Sequence, residues 1–400
     1  MRLLVAAPRL APDYNPEAIC TTNLLRAIAP VVEHISVVTS TTHSTLSDLE
    51  NVTVYVVPDY EAETLVQKTR RLFHMFPEDG FSWAVRAAKL VSRLAQKVDL
   101  VYSRGLPFAS HLTVFFANLP PHQPWVAHFS DPWPQWPESE FWADSRGWRY
   151  AWHKKLLQCV TGITFSTDQV GEVCRREQWG KRSVPYATIP HVGLGPLPPA
   201  PDKVNDVVSV LHTGTFYGAR KPDNLLCAWA QFVNAVPERR EKFKLTHVGP
   251  ESAEISKLSE HFGITDCVTQ LGLVPPDTAK QMQRDATYLL LVENQESRTG
   301  IYLPSKLIDY LWANRPILAL TPPNGVVSSV LGSDYKLKAA PWDIAEIVNS
   351  LNCMANSRPS DFSQQLSHCR KGFEASSVVD KLLKFLSGVI TNTDGEVMLP

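Results

Sequence analysis

The seven cysteines of this 400-residue chain are odd in number, scattered and never spaced as C-x-x-C. That argues against a disulfide framework or a zinc ribbon and suits a reducing compartment, so a cytoplasmic location is expected. No run approaches the roughly 18 uninterrupted apolar residues of a membrane-spanning helix. The opening run MRLLVAAPRLAP is broken by Pro8 too soon for a secretion signal and reads as a buried first strand. No internal repeat of solenoid spacing is present. The net charge is −1, so no global field favours nucleic acid, and an anion must be held by local clusters.

What the chain does have is length and alternation. Four hundred residues exceed a single core. Short β-branched runs predict strands at 2–7, 35–39, 53–57, 99–103, 125–129 and 162–166, with helices at 16–29, 81–97, 108–118 and 148–159 between them. Asn15 and Pro16 form a clear helix start. The proline- and glycine-rich segment 191–206 reads as a linker. Beyond it strands are predicted at 207–212, 244–248, 267–271, 287–292 and 316–320. Helices are predicted at 222–235, 251–262, 277–285, 304–313 and 341–355, with a last amphipathic helix at 376–388. Strands alternating with helices mean parallel sheets joined by crossovers. The expected fold class is α/β, with two doubly wound Rossmann-like domains facing across a cleft. The expected domains are 1–200 and 201–375, followed by 376–400 as a terminal helix and tail. Ligands of such sheets sit at the carboxyl ends of the strands.

Two segments of the second half have the chemistry of an anion site. Strand 207–212 runs into TGTFYGARKP, where Gly214, Thr215 and Gly218 permit close backbone approach and Arg220-Lys221 stand before Pro222, a suitable helix start. Glycines, adjacent cations and a helix start suit a diphosphate; the alternative is a solvated Arg-Lys pair. In PSKLIDYL (304–311), Ser305 and Lys306 occupy a helix N-terminus, where dipole and free amides favour negative charge. Asp309 falls on the same face one turn on, placed to accept hydrogen bonds from ribose hydroxyls; the alternative is a surface lysine and aspartate. Gly249 in HVGP, and Gly272 with Leu273 in LGLVP, follow strands and either admit a nucleobase edge or make plain turns.

The order HTGTFYGARKP, VGP, LGLVP, PSKLIDYL and RPILAL resembles the nucleotide-sugar half of a GT-B glycosyltransferase, nearest to the family 4 retaining enzymes of bacterial polysaccharide assembly. DLVYSRGLPFASHL (99–112) and PWVAHFSDPW (124–133) are similar to that branch's N-terminal half. The resemblance implies a nucleotide-diphosphate sugar as donor and an acceptor saccharide, lipid-linked saccharide or small molecule. It also implies a terminal helix crossing back onto the first domain. Arg220 matches the family's diphosphate-binding cation, and Asp309 stands where a ribose-binding glutamate is usual. The loop at Gly300, Ile301 and Tyr302 is implied to meet the donor sugar through its backbone. Three positions depart from the pattern. Thr215 replaces an arginine, Ile301 replaces a second glutamate, and PRLAPDYNPE lacks the usual glycine pair.

Arg220, Lys221, Lys306 and the helix start are expected to stabilise the leaving diphosphate. No Asp-x-Asp follows a strand, so no metal ion or other cofactor is expected. In the first half, His128 and Asp131 at the end of strand 125–129 either orient a substrate hydroxyl or are a core histidine and a cap. Arg104 and His111 are weaker candidates. The four tryptophans of 131–148 either stack on an acceptor or pack a long loop upon itself. Arg86, Lys89, Arg93 and Lys97 share one side of 81–98, which suits either an anionic membrane surface or any solvated helix. A nucleotide-sugar epimerase of the same fold and a two-domain sugar-binding sensor are the competing functions.

Overall fold

The computed structural model describes residues 1–13, 15–59, 80–132, 154–178, 184–199 and 206–394. The chain divides into two compact units, residues 1–192 with 374–400, and residues 193–373. The tryptophan segment 133–148 and the start of the helix expected at 148–159 lie outside the described residues.

The first unit is built on seven parallel strands: β1 (Arg2–Ala6), β2 (His34–Thr39), β3 (Val52–Val56), β4 (Leu100–Arg104), β5 (Trp125–Phe129), β6 (Gly162–Phe165) and β7 (Tyr186–Thr188). Their order is β3-β2-β1-β4-β5-β6-β7, so the chain starts mid-sheet, winds outward and then reverses. Strands β4, β5 and β6 are buried along their whole length, as a sheet covered on both faces requires. The crossovers include α1 (Pro16–Ile28), α2 (Phe81–Ala95), α3 (Ala109–Ala117) and α4 (Asp168–Gln178). Asn15 caps α1 by accepting from the Glu17 N–H at 2.9 Å, with Pro16 at the first position. On α2, Trp83, Ala84, Ala87, Ala88, Val91, Leu94 and Ala95 face inward, while Lys89, Arg93 and Lys97 are exposed and Arg86 pairs with Asp59 at 3.2 Å.

The second unit has six parallel strands: β8 (Val208–Thr213), β9 (Phe243–Val248), β10 (Val268–Gln270), β11 (Tyr288–Val292), β12 (Ile317–Leu320) and β13 (Lys338–Ala339). Their order is β10-β9-β8-β11-β12-β13. Helices α5 (Asp223–Asn234), α6 (Glu238–Lys242), α7 (Ala253–His261), α8 (Pro276–Asp285), α9 (Ser305–Ala313), α10 (Val326–Leu331), α11 (Ile344–Ala355) and α12 (Ser363–Arg370) complete it. The helix expected from 341 begins at Ile344, because Asp343 takes extended backbone and caps it from the Glu346 N–H at 3.0 Å. The final helix, α13 (Ala375–Asp394), belongs to the first unit, where Phe385 and Val389 lie over Gly162.

One close approach fixes the carboxyl end of the second sheet. The Gly214 N–H donates to the Val248 carbonyl at 2.8 Å, and the Gly249 N–H to that of Gly272 at 3.0 Å. A Cβ on residue 249 would lie 1.9 Å from the Gly214 carbonyl oxygen, so only glycine fits. Gly249→Ala should therefore cost about 2 kcal/mol or more in denaturant unfolding. Gly372→Ala, where a Cβ meets open space, should stay within about 0.5 kcal/mol. Equal stability of the two variants would refute the packing argument.

Candidate functional site

Strands β8 and β9 both end in His-x-Gly, and the register places His212 beside His247 and Thr213 beside Val248. After β8 the chain turns at Gly214, whose φ of +124° suits glycine, and returns so that the Arg220 N–H bonds the Tyr217 carbonyl at 3.0 Å. The Arg220 guanidinium lies 4.9 Å from the centre of the Tyr217 ring, and its Nε is buried without a hydrogen-bond partner. Gln295 fixes this loop from below: its N–H donates to the Ala219 carbonyl at 3.0 Å and its side chain to that of Lys221 at 2.7 Å. Lys221 itself is exposed and turned to Glu296 at 3.5 Å.

Helix α9 starts after Pro304, and no side chain caps it. Ser305 holds the first position, leaving its amides for an outside partner. Tyr310 anchors the helix to the end of β8 and the middle of β11. Its hydroxyl accepts from the Thr213 N–H at 3.0 Å and donates to the Leu290 carbonyl at 3.2 Å. Lys306 is thereby carried over Gly214: a Cβ at 214 would lie 2.6 Å from its Nζ, which is 3.4 Å from His212 Nε2. Burial, with Arg220 beside it, pulls the Lys306 ammonium down to about 7. Asp309 is pushed up from the usual carboxylate range by burial, against the pull of Lys280 and Lys306.

Glu293 at the end of β11 is 5% exposed and shares a short hydrogen bond with the Thr321 hydroxyl. Burial pushes it up to about 7, although Arg220 opposes the shift. Burial thus disfavours the charged forms of Glu293, Asp309 and Lys306 alike, while Arg220 stands among them with its Nε unpartnered.

The structure thus brings Gly214, Arg220, Gly249, Gly272, Ser305, Lys306 and Asp309 to one end of one sheet. Thr215 is exposed on the turn. Gly272 has a φ of +70°, and Leu273 beyond it is 79% exposed, a large apolar side chain left in water. Gly300, φ +50°, packs on Pro322 and Gly325 and accepts from the Val326 N–H at 2.8 Å; Ile301 is half-buried and Tyr302 exposed. Sequence reasoning missed His212, His247, Tyr310 and Glu293. The paired His-x-Gly strand ends were a signal for the first two; nothing in the local pattern marks Glu293.

In the first unit, His128 is fully buried. Its Nδ1 is 3.0 Å from the Thr164 hydroxyl, and its Nε2 has no partner. Burial and then Arg104 hold it well below its ordinary range. Asp131 is pushed up to about 6 by burial. Next to them sits a cluster of which the sequence reading raised only Arg104. Arg104 bonds Glu17 at 3.2 Å, the Thr21 hydroxyl at 3.0 Å and the Tyr102 hydroxyl at 3.3 Å, and Ser130 donates to Glu17 at 2.6 Å. His111 is buried against Ser103 at 2.8 Å. Among the described residues no three His, Cys, Asp or Glu side chains group as metal ligands.

No protein-family model matches the chain, and no curated protein does. Solved structures do. A sucrose-phosphate synthase from Thermosynechococcus elongatus superposes with a TM-score of 0.67 at 13% identity, over 98% of this chain and 99% of that one. An E. coli trehalose-6-phosphate protein bound with UDP-2-fluoro glucose gives 0.64 at 13% identity over 98% and 99%. An alpha,alpha-trehalose-phosphate synthase from Burkholderia xenovorans in complex with glucose-6-phosphate gives 0.65 at 12% identity over 97% and 100%. At these identities the likeness establishes the fold: this chain has the GT-B architecture of two Rossmann-like domains.

Glu17 couples folding to pH. Its carboxyl rises to about 7 in the folded chain, first through burial and against Arg104, from an ordinary 4.5. The folded state therefore holds a proton that the unfolded state loses between these values. The stabilisation is full below about 4.5 and is lost as pH rises to about 7. Relative to Glu17→Gln, the chain should lose about 3 kcal/mol across that window in denaturant titrations. A pH-independent difference would show that the group is not so shifted.

Proposed function

We propose that the chain is a glycosyltransferase that moves a sugar from a nucleotide-diphosphate sugar to an acceptor hydroxyl. The observation that carries this is the convergence of Arg220, Lys306 and the uncapped start of α9 over Gly214, at the carboxyl ends of parallel strands. The GT-B fold supports it. The order of short motifs also favours the polysaccharide branch of family 4.

In this reading Arg220, Lys306 and the Ser305 amide contact the diphosphate, and Lys221 assists by long-range charge. They act on the negative charge that grows on the β-phosphate as the bond from sugar carbon to phosphate oxygen breaks. That stabilisation needs no metal ion. Asp309 holds the ribose; Gly249, Gly272 and Leu273 border the base; the 300–302 loop meets the donor sugar. With retention, the acceptor oxygen forms its new bond on the leaving-group face and its proton passes to a diphosphate oxygen. His128 and Asp131 are assigned to orienting a hydroxyl. The E. coli and Burkholderia xenovorans structures carry a UDP-sugar analogue and glucose-6-phosphate, which makes UDP-sugars, with sugar or sugar-phosphate acceptors, the first pair to try. Among the described residues no helix is long and apolar enough to cross a membrane; contact of α2 with an anionic membrane surface and a cytoplasmic location belong to the same proposal.

UDP, GDP or ADP should raise the melting temperature where free sugars do not; the reverse pattern would favour a sugar sensor. Incubation with a labelled nucleotide sugar, scored by product mass, separates transfer from epimerisation, which alters the donor without an acceptor. Arg220→Ala should weaken nucleotide binding by roughly 1.5–3 kcal/mol, the worth of a charge-assisted contact. Unchanged affinity by calorimetry, with the fold intact, would remove Arg220 from the site. Asp309→Ala should cost less, about 1 kcal/mol, because its partners are neutral hydroxyls.

A further inference from the structure

The two His-x-Gly strand ends build more than a turn. His212 and His247, 1% and 3% exposed, lie edge to edge with ring planes 19° apart, ring centres 5.1 Å apart and their Nδ1 atoms 3.0 Å apart. Phe216 lies against both rings, 4.5 Å from His212 and 5.3 Å from His247. At one end of the pair, His212 Nε2 is 3.4 Å from Lys306 Nζ. At the other, His247 Nε2 is 3.3 Å from the carbonyl oxygen of Pro250, an exposed residue.

The proton positions follow from the ends inward. A carbonyl oxygen only accepts, so His247 carries its hydrogen on Nε2. A neutral imidazole has one N–H, so His247 Nδ1 accepts, and its donor is His212 Nδ1–H. That leaves His212 Nε2 as a lone pair, which accepts from the Lys306 ammonium. Each hydrogen bond points from the anion site outward.

We propose that His212 and His247 are positioning residues that form a proton wire from Lys306 to the surface at Pro250, through which a diphosphate site gains and loses its charge. The proposal rests on the assignment of Lys306 to that site.

When the anion leaves, Lys306 passes a proton to His212 Nε2, His212 passes its Nδ1 proton to His247 Nδ1, and His247 releases its Nε2 proton to water. One proton leaves and none is created. Every bond then points inward, poised to take a proton up when an anion returns. Pro250 opposes that reversed state, since its carbonyl would face a second lone pair, and so favours the charged Lys306.

The surrounding charges keep the relay neutral. His212 is faced by Lys306, His247 and Arg220, and His247 by Lys306. Lys306 is faced by Arg220 and Asp309, Asp309 by Lys280, and Arg220 by Glu293. Burial first, then Lys306 and Arg220, lower His212; burial lowers His247 too, with Lys306 adding to it and the Pro250 carbonyl opposing, so the charged form of each ring is disfavoured.

The full chain labelled with 15N-histidine tests this by long-range 1H–15N NMR, with inorganic pyrophosphate as the probe. At pH 6 the hydrogens should sit on His212 Nδ1 and His247 Nε2. At pH 8.5 without ligand, both rings should invert together, and pyrophosphate should restore the first arrangement with uptake of about one proton. His212 protonated on Nε2 at pH 6, or pyrophosphate binding at pH 8.5 without inversion, overturns the wire. His247→Phe keeps a ring but removes the acceptor. Its pyrophosphate affinity should fall several-fold at pH 8.5 and within about twofold at pH 6. Equal losses at both pH values, or none, also overturn it. If the wild-type chain binds no pyrophosphate, the diphosphate assignment falls and takes the wire with it. Binding without pH-linked inversion sinks the wire alone.

Discussion

Lys306 and Arg220 are held close against their own repulsion, and much of the second unit exists to hold them so. Lys306 lies over Gly214 because Tyr310, one turn on, ties α9 to the end of β8 and the middle of β11. Arg220 reaches the same place because Gln295 clamps its loop. Gly249 must be glycine because the Gly214 carbonyl occupies the space of a side chain. None of this is optimal for stability: burial disfavours the charged forms of Lys306, Asp309 and Glu293 alike, and the Arg220 guanidinium sits among them. Such an arrangement persists where the unpaired charge has a use, since burying unmatched charge is costly.

The sheets were legible because their strands are short, apolar and β-branched, a pattern that parallel sheets covered on both faces impose. β7 and β13 escaped notice since, at three and two residues on sheet edges, neither presents such a run. α4 escaped too: DQVGEVCRREQ is too polar to announce a buried face. At the site, the glycines and the lysine at a helix start stand out locally, and the fold placed them at one sheet end. Lys221 reads the same as Arg220 in sequence, yet one turns to Glu296 and the other over Tyr217, a choice made by the loop's hydrogen bonds. Glu293 and Glu17 become notable only through burial, which depends on what packs around them.

The two units hold their buried charge in opposite ways, and the contrast indicates what each can do. In the first, Arg104 meets Glu17, two hydroxyls lie within its reach, and Ser130 adds a bond to the carboxylate. That cluster closes its own hydrogen bonds, although burial raises Glu17 to about 7 and leaves its carboxylate only partly ionised near neutral pH. Breaking it by removing one partner would strand a buried charge, so it serves to hold α1 against β4. His128 lies at its edge with one nitrogen committed to Thr164 and the other unpartnered, which limits its chemistry to a single hydrogen bond.

In the second unit Arg220 Nε is buried without an acceptor, beside Lys306 and two carboxyls whose charged forms burial disfavours. A matched cluster gains nothing from an incoming ion, whereas an unmatched one gains twice. It recovers the cost of its own repulsion, and it donates hydrogen bonds that no group of the protein accepts. The same imbalance makes Lys306 easy to deprotonate when the site is empty and hard to deprotonate when it is filled. In the proposed diphosphate site its charge state would report occupancy, and the paired histidines behind it are the side chains through which that change would reach the surface at Pro250.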